Sequence, residues 1–166
     1  MITRIFAPLV LLAFLVSGCA STKSGIDPQV ITGDYTFTSF TVRPEPAALD
    51  AFSLLGNRVS DDLVFRVFEN NRLTLERGND DTTELVWEGE YEVDGRSIKI
   101  EIADDFRDQR RRLFMPERFR LDVNRDGDAL TSDISRDGVD MSKLSDDYEG
   151  LDDVPVTLEI RLARVR

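Results

Sequence analysis

Residues 85–102 read LVWEGEYEVDGRSIKIEI. Leu85, Trp87, Gly89, Tyr91 and Val93 fall on one side of an extended chain, with Glu88, Glu90 and Glu92 on the other. Ile98, Ile100 and Ile102 then return on the apolar side, opposite Lys99 and Glu101. Successive side chains of a strand point to opposite faces, so this period of two marks strands with one buried face. Asp94-Gly95 lies between the two runs and predicts a two-residue type I′ hairpin turn.

The same pattern extends in both directions. Tyr35, Phe37, Ser39 and Thr41 alternate with Thr36, Thr38, Phe40 and Val42. Leu63, Phe65 and Val67 lead to Asn70-Asn71, which tolerates positive φ, and Leu73 and Leu75 lead away from it. A third hairpin runs through Phe119, Leu121 and Val123, turns at residues 125–128 and returns from Leu130 to Ile134. Val156, Leu158, Ile160 and Leu162 face one way on a last strand. About eight sequential antiparallel strands with one apolar face need closure, or their edges stay open to pairing. The expected fold is therefore all-β, an eight-stranded antiparallel up-and-down barrel over residues 31–166, with a flattened two-sheet sandwich as the alternative. Pro46 to Leu55 (PAALDAFSLL), followed by Gly56, predicts one short helix across a barrel mouth. Residues 104–118 form a long basic connection and residues 135–153 a long acidic one, where Met141, Leu144, Tyr148 and Leu151 have the spacing of a helical turn on the mouth.

The N-terminus has a different grammar. Arg4 precedes an apolar run from Ile5 to Val16, too short for the ~20 residues of a spanning helix. Val16-Ser17-Gly18-Cys19 resembles the lipobox of bacterial lipoproteins. The resemblance implies a signal peptide over residues 1–18, cleavage before Cys19, and acylation of the Cys19 thiol and new amine. Ala20 rather than Asp follows the Cys, which by the same resemblance implies the outer membrane; the domain is expected to face the periplasm rather than the cell surface. Residues 19–30, small, polar and broken by Gly25 and Pro28, read as a flexible tether. Losing residues 1–18 removes Arg4 and no acid, so the rest is more acidic still.

Tether, opening strand with Gly33-Asp34-Tyr35, and a run of hairpins together resemble small bacterial lipocalin-like lipoproteins. True lipocalins have Gly-x-Trp at that opening. Arg161, on the final strand, lies where lipocalins set an Arg against the aromatic. The resemblance implies a lipocalin-like barrel; a shared fold does not by itself carry an activity.

Composition excludes more than it identifies. With no His and one Cys, the chain has no Ser-His-Asp or Cys-His catalysis, no His-ligated metal and no intrachain disulfide. The formal charge of −11 argues against nucleic acid as a partner. Lys23, Lys99 and Lys143 stand in no catalytic motif, and no Gly-rich loop cradles phosphate, so the chain reads as no enzyme and as needing no cofactor. Four constellations remain. Tyr35, Phe37, Trp87 and Tyr91 either line a pocket for a small apolar or amphipathic ligand or fill the core. Arg110, Arg111 and Arg112 either contact an anionic partner or form a solvated loop paired with nearby acids. Asp122, Asn124 and Asp126 before Gly127 partly match a calcium loop, although a strand would space them too widely for one ion. The acidic stretch 135–153 either gathers a cation or basic partner or is simply solvated. The expected function is a non-catalytic binding module on a membrane-anchored envelope lipoprotein. The alternative is a structural or assembly lipoprotein with a filled barrel, docking an envelope protein through its charged loops.

Overall fold

A computed structural model describes residues 25–166 other than 47, 58, 61, 80 and 81. The signal segment 1–18 and Cys19 lie outside the described residues. Among the described residues, nine strands form one sheet: β1 (Gly33–Pro44), β2 (Phe52–Ser53), β3 (Leu63–Val67), β4 (Arg72–Asn79), β5 (Thr82–Asp94), β6 (Ser97–Ile102), β7 (Arg118–Val123), β8 (Ala129–Val139) and β9 (Val154–Arg164). Every pairing is antiparallel. The order is β2-β1-β3-β4-β5-β6-β7-β8-β9, and β1 also pairs with β9. That last pairing closes an eight-stranded up-and-down barrel, with β2 added to the mouth half of β1. Closure removes the free edges that sequential hairpins would otherwise leave.

The hairpins form where the turn residues place them, with local differences. Between β5 and β6 the central residues are Gly95 and Arg96, since Asp94 pairs with Ser97. Only Gly95 has positive φ, at 63°. That is the sign pattern of a type II′ turn rather than I′. Between β3 and β4, Phe68 N–H bonds Arg72 C=O and Asn71 takes φ 64°. The loop is thus three residues, with the left-handed position last.

Two bulges reset the alternation. On β1 the register shifts between Phe37 and Ser39, so Thr38 is the extra residue. Strict alternation sets Phe40 and Val42 opposite Tyr35, yet all three are fully buried, and Phe37 stacks on Phe40 with centroids 5.1 Å apart. On β5 the shift falls between Trp87 and Leu85, leaving Val86 unpaired. Trp87 stays inside while Leu85 turns outward, 43% exposed. One extra residue per strand is enough, because a one-residue slip moves every later side chain to the other face.

The helix expected at 46–55 does not form. Phe52–Ser53 instead pairs with Thr41–Val42, and Leu54 N–H bonds Phe40 C=O. The open edge of β1 beyond its pairing with β3 is a ready acceptor, and satisfying it outweighs the weak helix preference of a ten-residue segment. Short helices lie elsewhere: α1 (Pro28–Ile31) and α2 (Arg107–Arg112), the latter in the connection expected to be a loop. The acidic stretch becomes the rest of β8 and two 3-10 turns, Met141–Lys143 and Asp146–Tyr148, whose Met141, Leu144 and Tyr148 are buried.

The barrel has unlike ends. The three tight hairpins mark its floor, where part of the stretch 19–30 proves ordered. Asp27 caps α1, Ile26 N–H bonds Gly95 C=O, and Ile31 is fully buried. Gly127 lies under this plug, where a Cβ would collide with the Val30 backbone. The connections 45–62, 103–117 and 140–153 gather at the other end, the mouth. β7 and β8 pair through Asp122–Val123 near the floor and have diverged towards the mouth, where Arg136 donates across the gap to Phe114 C=O at 3.1 Å.

Candidate functional site

The inward aromatics are spent on packing. Trp87 and Tyr35 are 0% exposed and Tyr91 4%, so water reaches almost none of their surface. Phe65 meets Trp87 edge-on at 5.9 Å, and Leu73, Leu75, Ile98 and Ile100 are buried in the same core. Tyr91 hydroxyl donates to Phe68 C=O at 2.8 Å. Tyr35 hydroxyl sits 2.9 Å from Ile31 C=O and 2.7 Å from Gly127 C=O. Of the four aromatics singled out in the sequence, three are core and floor residues, and Phe37 is half-buried against the same core. The interior around them is full.

The cation over Tyr35 is Arg164, not Arg161. Tyr35 and Arg164 are directly opposed across β1 and β9. Arg164 lies 5.3 Å from the Tyr35 ring centroid, donates to its hydroxyl at 2.9 Å and also bonds Val30 C=O. Arg161 has the parity of the outer face, where it pairs with Asp133 at 2.7 Å and donates to Ser132 C=O.

The sequence around Asp122 makes a hairpin turn. Asn124 Oδ1 accepts from the N–H groups of Asp128 and Ala129, and its amide donates to the Asp128 carboxylate. Asp122 stands exposed on β7, opposite Thr131. Asp122 belongs to β7, while Asn124 and Asp126 lie in the turn beyond its end. Among the described residues no three acidic or thiol groups gather as a metal would need.

The three consecutive arginines are separated by helical geometry, about 100° per residue. Arg110 turns in, 13% exposed, and pairs with Glu117 at 3.2 Å. Arg111 and Arg112 are exposed. Gln109 and Arg112 of α2 and Leu113 at its C-cap, spaced i, i+3 and i+4, share the stripe that lines the mouth.

At the mouth this stripe closes a cleft of about 770 Å³. Phe52 and Asn57 form one wall, Arg77 and Glu84 to Val86 of the β4–β5 hairpin another, and Leu144 and Ser145 a third. Phe52 is held edge-on by Tyr148 at 6.3 Å, whose hydroxyl donates to Asp50 C=O. Leu85 supplies exposed apolar surface because the Val86 bulge turns it outward. Sequence reasoning misses Leu85 and Arg77 here. The consecutive apolar letters Leu85-Val86-Trp87 are the one signal of the phase break.

A second concavity, of about 760 Å³, lies on the wall of β5, β6 and β7 around Gly89 and Phe119. Its cations are already answered: Arg118 by Glu101 at 2.6 Å, Lys99 by Asp94 at 2.9 Å, and Arg120 by Asp94. The Arg118 guanidinium holds the Glu101 carboxyl below the usual carboxylate range.

No family model and no curated protein matches the chain. Two solved structures are similar in shape. One is a lipocalin-like protein from Bacteroides uniformis ATCC 8492, at 12% identity and TM-score 0.44, covering 82% of this chain and 99% of that one. The other is an uncharacterized protein from Bacteroides eggerthii DSM 20697, at 11% identity and TM-score 0.43, covering 79% and 98%. The barrel assignment rests on the strand pairing itself.

Proposed function

We propose that the chain is a lipid-anchored outer-membrane protein of a bacterial envelope, held through Cys19 and facing the periplasm. Its barrel is a non-catalytic binding module, and the ligand, a small apolar or amphipathic molecule, sits in the mouth cleft rather than inside the barrel. One observation carries the placement: Leu85 is 43% exposed beside Phe52, Val86, Leu113 and Leu144, while the interior aromatics are sealed. Exposed apolar side chains in a concave setting are what an apolar ligand covers. The test is calorimetric titration with octanol. Saturable binding that Leu85→Ser abolishes supports the cleft; binding unchanged in that variant removes it. The anchor is tested by mass spectrometry of the mature N-terminus, where acylated Cys19 is expected and an intact leader or bare start overturns it.

The filled interior also favours a second reading, an assembly protein that docks an envelope partner through its charged mouth loops. Salt-sensitive capture of that partner, lost when Arg110, Arg111 and Arg112 become Ser, distinguishes it.

A further inference from the structure

Among the described residues that line the mouth cleft, Arg77 and Arg112 stand against one carboxylate, Glu84. The Arg77–Glu84 separation is 3.8 Å, with the side chains 42% and 73% exposed, so the pair contributes little. Arg77 Nε is buried with no acceptor. Arg112 stands in the last turn of α2, and among the described residues its guanidinium has no acceptor at all. By contrast, Arg43 is answered by Glu159 at 2.6 Å and Arg72 by Glu88 at 2.7 Å. The guanidinium groups of Arg77 and Arg112 thus line one concavity in a chain of net charge −11.

A buried N–H without an acceptor is destabilising. An anion held in the cleft supplies that acceptor and a partner for Arg112. Guanidinium forks match carboxylate and phosphate oxygens in pairs, which a single ammonium does not. Phe52, Leu85 and Leu113 line the same cleft, and Leu85 is the exposed apolar side chain among them.

We infer that the cleft selects an acidic head group, a carboxylate or phosphate monoester, seated between Arg77 and Arg112 with its apolar chain against Leu85. This rests on the mouth cleft being the ligand seat. Glu84, mostly in water, gives up its loose contact when the head group arrives.

The experiment titrates the purified protein with octanoate, octyl phosphate, octanol, octylammonium and inorganic phosphate. Octanoate and octyl phosphate are expected to bind at least about tenfold tighter than octanol, and octylammonium no tighter than octanol. Arg112→Ser and Arg77→Gln each bring the acid-to-alcohol ratio close to one. Arg107→Ser, on α2 but outside the cleft, leaves the ratio unchanged. Circular dichroism and Trp87 emission report that each variant is folded. Equal binding of octanol and octanoate, or a preference that survives both Arg variants, overturns the head-group inference while the cleft stands. Failure of every octyl probe overturns the cleft and the inference together. Inorganic phosphate binding as tightly as octyl phosphate keeps the anion seat and identifies a free anion, not an amphiphile, as its occupant.

Discussion

Tyr35 and Arg164 face each other across the seam that closes the barrel, and together they pin the N-terminal plug to its floor. The Arg164 guanidinium donates to the Tyr35 hydroxyl at 2.9 Å and also bonds Val30 C=O. The hydroxyl in turn serves the carbonyls of Ile31 and Gly127. One pair of side chains thus ties α1, β1, the β7–β8 turn and β9.

Tyr35→Phe is expected to destabilise the fold by about 1–3 kcal/mol, because it leaves buried carbonyls without a donor. The measurement is the urea midpoint together with amide exchange at Ile26 and Val30. Wild-type stability and exchange would show that the floor does not depend on this hydroxyl.

Alkali should loosen the same joint. Burial pushes the Tyr35 phenol above its ordinary 10.0, although Arg164 opposes the shift. Burial also raises Tyr91. The unfolded chain therefore ionises these tyrosines first. Their contribution is intact below pH 10 and is lost as pH rises from the unfolded value through the folded one. Urea midpoints should be flat from pH 8 to about 10 and fall above it, less steeply in Tyr35→Phe.

Gly89→Ala is expected to cost about 1–3 kcal/mol or more. A Cβ there meets the Glu101 carbonyl oxygen, a backbone atom of the paired strand that cannot rotate away. Thermal unfolding checks this. An unchanged midpoint would mean that β5 and β6 separate at this point without penalty.

The filled interior makes its own prediction. Leu73→Ala, at a fully buried position, should cost about 2–5 kcal/mol. Leu85→Ser should stay within about 0.5 kcal/mol, since Leu85 is largely exposed. Emission from Trp87, the single Trp, should be blue-shifted and resist quenching by iodide. Ready quenching would point to a hollow barrel instead.

Alternation and turn chemistry made most of the barrel legible in the linear chain. Residues 85–102 carry their hairpin in the letters, and Asn71 and Gly95 occupy the positive-φ positions that their types suit. The floor plug was hidden, because Asp27-Pro28 reads equally well as a break in a tether. The mouth cleft was hidden for a different reason. Leu85 looks like core until the Val86 bulge is known, and Arg77 looks like an ordinary solvated strand residue.

Local spacing thus determined the strands, their turns and the need for closure, since each depends on residues a few positions apart. Tertiary structure decided where the register slips, which arginine reaches Tyr35, and that Phe52–Ser53 extends the sheet rather than forming a helix. A bulge is a mismatch between two strands, and the mouth is assembled from segments dozens of residues apart. Neither is visible until the partner strand is in place.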